Sequence, residues 1–180
     1  MAGVGRGHGE RRREAMDELE WRAVTRQNVH ELRAFNAGVF PVRFAESLYQ
    51  RVLDGCAARP ASAQLVSHAR RVVGALCCCA EEKGERAPRL YVAVLGVAAA
   101  YRGRGIGGML LSRAVELAEQ LGAESMYLHV QQDNDEAMDF YTKRGFHVAK
   151  TIPNYYARLE PSAAYELQRS ACLVTSPIIN

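Results

Sequence analysis

The sequence predicts one domain of the α/β (α+β) class, in which helices flank a mixed, mostly antiparallel central sheet. The chain has 180 residues, of which 48% are hydrophobic, and this is enough for a sizeable core. Apolar runs with strand character alternate with segments of helical period. Their order is strand, two helices, three strands, helix, strand, helix and two strands. We therefore expect about seven strands and about four helices.

Turn signals separate the elements that are predicted in the first half of the chain. The strands are expected at residues 21–24, 64–68 and 72–80, with a tight turn between the last two. The helices are expected at residues 29–37 and 45–53. Asn28 is the expected N-cap of the first helix, and Pro41 ends that helix by disfavouring helical angles at Phe40. Asp54-Gly55 is expected to end the second helix, and residues 81–88 are predicted to form a polar loop.

Glycines mark the elements that are predicted in the second half. The strands are expected at residues 90–97, 126–130, 147–150 and 164–168, and the helices at residues 106–121 and 135–143. Gly122 and Gly145 follow the two helices, where a C-terminal cap favours glycine. Gly96 lies inside the first of these strands and indicates a bulge or a close backbone approach.

Composition excludes several classes of protein. The formal net charge is +3, which does not argue for a nucleic-acid or membrane partner, though it mildly favours an anionic ligand. No run reaches the roughly 18 apolar residues of a membrane span, and no apolar region follows the N-terminal arginines, so no signal peptide is expected. We expect a disordered tail at residues 1–17, the folded domain at residues 18–170 and a C-terminal tail at residues 171–180.

The five cysteines do not form a metal-binding pattern. Cys77, Cys78 and Cys79 are consecutive, whereas zinc sites use spaced pairs. We expect these residues to be small buried apolar side chains of a protein in a reducing compartment, and we expect no metal.

A turn rich in glycine and arginine lies between the strand at residues 90–97 and the next helix. Its residues are Arg102, Gly103, Arg104, Gly105, Ile106 and Gly107. Glycines let backbone N–H groups converge on one point, the helix N-terminus attracts anions, and arginine binds phosphate through charge-assisted hydrogen bonds. The pattern predicts a pyrophosphate site, although its spacing fits neither a dinucleotide fingerprint nor a P-loop. The alternative is a flexible turn with solvated arginines.

Two motifs resemble the GNAT acetyltransferases. Arg102-x-x-Gly105-x-Gly107 resembles the signature whose turn and helix hold the pyrophosphate of acetyl-CoA. The segment from Asn134 to Phe146, N-x-x-A-x-x-F-Y-x-x-x-G-F, resembles the downstream signature of the family, although this spacing also suits a core-facing helix. The resemblance implies acetyl-CoA as co-substrate, a cofactor contact from Asn134, and Tyr141 beside the sulfur as a proton donor.

Further segments resemble the catalytic subunits of the eukaryotic NatE complex. They are Phe40-Pro41-Val42, Arg89-Leu90-Tyr91, Leu95-Gly96, Tyr127-Leu128-His129-Val130 and Asn154-Tyr155-Tyr156. Such enzymes acetylate protein N-termini that begin with Met followed by an apolar residue. The resemblance implies a large auxiliary subunit, a second acetyltransferase and the ribosome as partners. It also implies a cytoplasmic location, with the nucleus as an additional one.

The resemblance also assigns roles to individual residues. Tyr91 and His129 would be water-assisted general bases, which a protonated α-amine with a pKa near 8 requires. Backbone N–H groups from Leu95 to Val97 would contact the acetyl-CoA and stabilise the developing oxyanion. The apolar wall of the substrate pocket would consist of Phe40, Pro41, Val42, Tyr156 and Leu159. Tyr91 would also face the substrate, and Tyr155 would hydrogen-bond its backbone.

Other functions stay open at this point. The acceptor amine could be a lysine side chain or a polyamine, although an apolar pocket disfavours a polyamine. A non-catalytic subunit that binds acetyl-CoA is a third hypothesis, and the presence of Tyr91 and His129 argues against it. A lone histidine in an apolar strand, taken by itself, is more often a core residue than a catalyst. Ala93 and Val94 depart from the larger residue and the threonine of the family, and this leaves the substrate preference open.

Overall fold

The computed structural model describes residues 18–58, 62–84 and 86–171. Within these ranges seven strands form: β1 Glu20–Ala23, β2 Ala63–His68, β3 Arg71–Lys83, β4 Arg86–Val97, β5 Ser125–Gln131, β6 His147–Ile152 and β7 Ala164–Ser170. The same ranges contain four α-helices: α1 Val29–Val39, α2 Glu46–Ala58, α3 Ile106–Gln120 and α4 Asp135–Thr142. The predicted tail at residues 1–17 and residues 172–180 of the C-terminal tail lie outside the described residues.

The described strands form a seven-stranded sheet in the order β1-β2-β3-β4-β5-β7-β6. The pairs β1–β2, β2–β3, β5–β7 and β6–β7 are antiparallel, whereas β4 and β5 are parallel. A parallel pair needs a long crossover connection, and α3 lies in that connection. The mixed, mostly antiparallel sheet and its helices confirm the predicted fold class.

The described residues pack as two compact units. The first comprises the residues up to Cys77 together with Leu95–Leu111, and the second comprises Cys78–Val94 and the residues from Ser112 onward. Fully buried leucines of the first unit are Leu32, Leu65, Leu76 and Leu110. Fully buried side chains of the second unit include Leu90, Met126 and Leu167. Cys77 and Cys78 are buried, as predicted, whereas Cys79 is half-buried.

Several predicted turns and caps are confirmed. Ala69 and Arg70 connect β2 to β3 with φ values of 47° and 63°, which suits a two-residue hairpin turn. Gly122 ends α3 with a φ of 61°, and the Ala123 N–H donates to the Ala118 carbonyl over 2.9 Å. These are the positive φ and the six-to-one bond of a helix C-terminus that needs glycine.

The predicted end of α2 at Asp54-Gly55 is wrong, because the helix continues to Ala58. Leu48, Tyr49 and Val52 bury one face of the helix, and the Gln50 side-chain amide donates to Asp54 over 2.9 Å. A glycine inside a helix costs only about 1 kcal/mol relative to alanine. Burial of the apolar face outweighs this cost.

The predicted polar loop at residues 81–88 is also wrong. β3 extends to Lys83 and β4 begins at Arg86, so a hairpin with a short connection replaces the loop. The Tyr127 hydroxyl donates to the Glu81 carboxylate over 2.7 Å. This hydrogen bond gives the Glu81 carboxylate a partner within the extended strand.

Asn28 precedes α1, as predicted, but its side chain makes no cap bond to the helix. Its oxygen accepts from the Thr25 N–H over 2.7 Å, and its amide donates to the Ala23 carbonyl over 2.9 Å. Asparagine often bonds nearby backbone groups outside the helix. Here the side chain stabilises the connection from β1 instead of the first helical turn.

Candidate active site

The predicted pyrophosphate turn follows a 3-10 turn at Ala99–Tyr101. Gly103 and Gly105 have φ values of 70° and 93°, and a Cβ at either position would meet nothing within 4 Å. The glycines are therefore needed for backbone conformation and not for space. The first bond inside α3 runs from the Met109 N–H to the Gly105 carbonyl over 3.1 Å. The amides of Ile106 to Gly108 thus lie in the first helical turn, whose N–H groups attract anions.

The two arginines of this turn are exposed and are oriented by local contacts. The Arg102 Nε donates to the Val97 carbonyl over 3.4 Å. The Arg104 guanidinium lies over the Tyr101 ring, 4.8 Å from its centroid. The turn therefore has two cationic side chains next to the first-turn amides of a helix, a donor set that fits a pyrophosphate.

Gly96, near the end of β4, is in close contact with an aromatic ring. A Cβ at Gly96 would lie 2.7 Å from Cζ of Phe40, so the predicted close approach at this glycine is confirmed. Phe40 has extended backbone angles after α1, with φ −107° and ψ 140°, and its ring packs edge-on against Phe44 at 5.3 Å. Leu95 and Val97 flank Gly96 on β4 and are half-buried.

Two tyrosine hydroxyls converge on one histidine nitrogen in the second unit. The Tyr155 hydroxyl lies 3.0 Å from Nδ1 of His129, and the Tyr91 hydroxyl lies 3.4 Å from the same atom. The two hydroxyls are 3.5 Å apart. We call Tyr91, His129 and Tyr155 the hydroxyl–imidazole cluster. The structure thus brings Tyr91 and His129, which were predicted together as bases, into contact with Tyr155, which was predicted as a substrate-binding residue.

The strands explain this convergence. β4 and β5 pair in parallel, with Tyr91 opposite Tyr127, and the two rings stack with centroids 4.9 Å apart. His129 lies two residues beyond Tyr127, on the same face of β5, and contacts the Tyr91 ring edge-on at 5.5 Å. Tyr155 belongs to the segment between β6 and β7, and its ring lies 4.5 Å from that of His129.

A buried carboxylate lies on the other side of the His129 ring. Oε2 of Glu166 is 3.5 Å from Nε2 of His129 and 3.0 Å from Nζ of Lys150. Oε1 of Glu166 accepts from Arg89 over 3.3 Å. The residue Glu166 is only 5% exposed. Sequence reasoning missed it, although strand alternation from buried Ala164 predicts an acidic residue on the buried face of β7.

Burial determines the ionisation of the cluster. It lowers the pKa of His129 below the ordinary 6.5, and the Glu166 carboxylate only partly offsets this. It also raises the pKa of Tyr91 far above 10, with the hydrogen bond to Tyr155 adding to the effect. At neutral pH the imidazole and the Tyr91 phenol are therefore both uncharged. The imidazole can accept a proton, and the phenol can relay one.

Helix α4 positions the other two residues that the downstream motif predicts. The Asn134 side chain accepts from the Ala137 N–H over 3.1 Å and so caps α4. Tyr141 is buried, with its ring 4.9 Å from Phe140 and 5.4 Å from Phe146. Burial raises the pKa of Tyr141, which keeps its hydroxyl protonated and able to donate a hydrogen bond.

The predicted substrate-pocket residues lie on two segments. Phe40, Pro41 and Val42 follow α1 in the first unit. Tyr156 and Leu159 lie between β6 and β7 in the second unit, where the Tyr156 N–H donates to the Ser162 carbonyl over 2.8 Å. Burial raises the pKa of Tyr156 to about 12, so its ring is neutral and can form an apolar wall. That these residues bind the substrate stays a prediction.

The described residues contain neither a cluster of metal-binding side chains nor a helix that could span a membrane. In this part of the chain, no group of three or more His, Cys, Asp and Glu side chains could hold a metal ion. None of the helices within the described ranges has the length and apolar character to cross a membrane.

A glycine-rich turn at the start of a helix can bind an anion, and a neutral imidazole can accept a proton. The chain belongs to the Acetyltransferase (GNAT) family, whose sequence model matches residues 14–146. As a member of this family it is an acetyl-CoA-dependent N-acetyltransferase, as the sequence predicted.

Individual relatives show which members of the family the chain resembles. The chain is 38% identical to N-alpha-acetyltransferase 50 of Danio rerio, over 84% of this chain and 88% of the relative. It is 37% identical to Probable N-acetyltransferase san of Drosophila melanogaster, over 84% and 80% respectively. A solved structure, Arabidopsis thaliana Naa50 in complex with the bisubstrate analogue CoA-Ac-MVNAL, is 35% identical with a TM-score of 0.77, and the match covers 85% of this chain and 99% of that one. The predicted resemblance to NatE catalytic subunits is thereby confirmed.

Proposed function

We propose that the protein acetylates the α-amine of polypeptides that begin with Met followed by an apolar residue. The observation that carries the proposal is the hydroxyl–imidazole cluster, in which the Tyr155 hydroxyl lies 3.0 Å from Nδ1 of His129. Two relatives named as N-acetyltransferases support it. The bisubstrate analogue bound to the Arabidopsis relative contains the peptide MVNAL, which starts with Met and Val.

The glycine–arginine turn is the proposed site for the pyrophosphate of acetyl-CoA. Its backbone amides and the exposed arginines Arg102 and Arg104 provide the donors that a doubly charged pyrophosphate needs. Bound acetyl-CoA supplies an acetyl group activated as a thioester. The protein then has to deliver a neutral amine to that acetyl group and stabilise the oxygen that becomes negative.

The hydroxyl–imidazole cluster would remove the proton from the amine. An α-amine has a pKa near 8 and is mostly protonated at neutral pH. Because His129 is neutral, its Nδ1 can accept the proton directly or through the Tyr91 hydroxyl and a water. Tyr91 itself stays a phenol, because burial holds its pKa far above neutral pH. We therefore assign the net uptake of the proton to His129 and the relay to Tyr91.

Other residues would act on the acyl and thiol groups. Backbone N–H groups from Leu95 to Val97, at the end of β4, would donate to the developing oxyanion. The buried Tyr141 hydroxyl would donate a hydrogen bond to the leaving sulfur, and Asn134 would contact the cofactor. These roles are drawn from the motifs of the family and agree with the protonated state of Tyr141.

The apolar side chains Phe40, Pro41, Val42, Tyr156 and Leu159 would bind the first substrate residue. A methionine side chain gains about 1.5–3 kcal/mol from full burial, which is enough for selection among N-termini. By the same resemblance, we propose a cytoplasmic enzyme, also present in the nucleus, that works at the ribosome with a large auxiliary subunit and a second acetyltransferase.

Acetyl transfer to a panel of peptides tests the proposal. The panel contains peptides that begin Met-Leu, Met-Val and Ser-Gly, and a peptide with a blocked N-terminus and one internal lysine. We expect turnover on the Met-Leu and Met-Val peptides at least tenfold above the others, since 1.4 kcal/mol of selective binding corresponds to about a factor of ten. Turnover on the lysine peptide alone would refute N-terminal specificity and establish a lysine acetyltransferase.

A further inference from the structure

We propose that Glu166 is a positioning residue that holds the His129 ring in a single tautomer, with the lone pair of Nδ1 directed at the hydroxyls of Tyr91 and Tyr155. The proposal rests on the proposed function, because it gives a task to the neighbour of the proposed base. The sequence motifs do not include Glu166.

The register of three strands places Glu166 beside His129. In the β5–β7 pair, His129 lies directly opposite Glu166. In the β6–β7 pair, Lys150 lies directly opposite Glu166. Side chains directly opposite each other in antiparallel strands have Cβ atoms about 4.5–5.5 Å apart. The sheet therefore holds histidine, glutamate and lysine in one row, and this row does not depend on a loop.

The contacts on the two ring nitrogens of His129 differ in kind. A carboxylate can only accept hydrogen bonds, whereas a tyrosine hydroxyl can donate one. Glu166 lies 3.5 Å from Nε2, and the hydroxyls of Tyr155 and Tyr91 lie 3.0 and 3.4 Å from Nδ1. The neutral ring is most stable with its proton on Nε2. Its basic lone pair is then on Nδ1, the atom that faces both hydroxyls.

The charges around Glu166 allow it to orient the ring while the ring stays neutral. Lys150 and Arg89 contact its two oxygens at 3.0 and 3.3 Å. Burial alone would raise the pKa of Glu166, but these two cations outweigh burial and hold it below its ordinary value. Glu166 is therefore ionised at neutral pH. Because the two cations offset its charge, the carboxylate does not reverse the effect of burial on His129.

The remaining groups around His129 do not replace Glu166. Tyr127 contacts the ring of His129 edge-on at 5.8 Å, and its hydroxyl donates to Glu81. Arg89 lies over the Tyr127 ring at 4.2 Å and contacts Glu166. Among the described residues, Glu166 is the one acidic side chain for which an ion-pair contact with His129 is present.

Glu166→Gln tests the proposal, because it keeps the size of the side chain and removes its charge. A glutamine can present either its oxygen or its NH₂ group to Nε2, so the tautomer is no longer fixed. We expect kcat to fall about tenfold or more, a part of the roughly 10²–10⁴-fold that general base catalysis contributes, while KM for acetyl-CoA changes less than about twofold. Glu124→Gln, the same change at an exposed position before β5, is the matched control and should leave both constants unchanged.

The ¹⁵N chemical shifts of the His129 ring measure the tautomer without any substrate. In the wild type we expect Nε2 to carry the proton, and in Glu166→Gln we expect a mixture of both tautomers. Glu166→Asp, which keeps the charge, should restore the single tautomer and part of kcat. A wild-type ring protonated on Nδ1 would overturn the proposal, even if the glutamine variant did not fold. Wild-type kcat in Glu166→Gln, or a lower kcat with an unchanged tautomer, would also overturn it.

The proposed acceptor preference and the positioning role of Glu166 can fail independently of each other. If the peptide panel shows turnover on the lysine peptide alone, the Glu166 variants are measured with that peptide. The tautomer of His129 is then still a test of the positioning role, because it involves no acceptor.

Discussion

Replacement of Gly96 by alanine should displace the Phe40 ring. The added Cβ would lie 2.7 Å from Cζ and 3.0 Å from Cε2 of Phe40, and 3.3 Å from Cγ1 of Val39. Carbon atoms in favourable contact are about 3.5–4.0 Å apart. The ring therefore has to retreat by about 1 Å, and its edge-on contact with Phe44 has to change with it. Such overpacking typically costs about 1–3 kcal/mol of folding free energy.

Thermal unfolding and peptide kinetics measure the two consequences. For a domain of this size, 1 kcal/mol corresponds to a Tm shift of about 2–4 °C, so Gly96→Ala, at a cost of about 1–3 kcal/mol, should lower Tm by about 2–12 °C. If Phe40 walls the substrate pocket, KM for the Met-Leu peptide should rise about fivefold, the equivalent of about 1 kcal/mol. KM for acetyl-CoA should change less than KM for the peptide.

Gly38→Ala is the matched control for this substitution. It lies in α1, where an added Cβ meets nothing within 4 Å, and alanine is favoured over glycine in a helix by up to about 1 kcal/mol. We expect an unchanged or slightly higher Tm and unchanged kinetics. A Gly96→Ala variant with the Tm and the peptide KM of the wild type would refute the contact between Phe40 and Gly96 and its role in the pocket.

Four further predictions concern catalysis and ligand binding. His129→Ala should lower kcat about a hundredfold or more, and Tyr91→Phe should lower kcat by a smaller factor. KM for acetyl-CoA should change little in both variants. Equal rates for the wild type and both variants would exclude the base and relay roles. Burial lowers the pKa of His129 below 6.5, so His129 becomes protonated, and kcat at saturating peptide is lost, only as the pH falls below 6.5. A loss of kcat centred above pH 6.5 would contradict a neutral, buried base. Gly105→Ala places a residue with a Cβ at a backbone φ of 93°, and it should raise KM for acetyl-CoA more than KM for the peptide. An unchanged KM for acetyl-CoA would show that the pyrophosphate binds elsewhere. Phe40→Ala should raise KM for the Met-Leu peptide about tenfold, since it removes an apolar wall, and an unchanged KM would show that the pocket lies elsewhere.

Local rules predicted most elements of the fold. The helical period from Ile106 onward and the glycine at 122 predicted α3 to within one residue at its end. The hairpin at Ala69-Arg70 was predicted because two strand patterns meet there with only a short connection between them. In these segments the apolar spacing and the turn residues act over a few positions, so the sequence contains the information directly.

Where local signals and tertiary contacts disagreed, the tertiary contacts prevailed. Asp54-Gly55 has the composition of a helix end, yet α2 passes through it because Leu48 and Val52 are buried on one face. Residues 81–88 have the composition of a loop and most of those described are exposed, yet β3 and β4 extend through most of them because the two strands are neighbours in the sheet and Glu81 accepts from the Tyr127 hydroxyl. Each local preference amounts to about 1 kcal/mol or less, which is small compared with burial of several apolar side chains.

Some residues of the candidate site could be identified from the sequence, and others only from the tertiary structure. The sequence by itself determined the family, the glycine–arginine turn and the identity of Tyr91, His129 and Tyr155 as candidate site residues, because motifs and their spacing identify them. Only the tertiary structure decided that Glu166 and Lys150 lie in one row with His129. That row depends on the register of β5, β7 and β6, and strand register arises from pairing between distant segments that no short sequence pattern specifies.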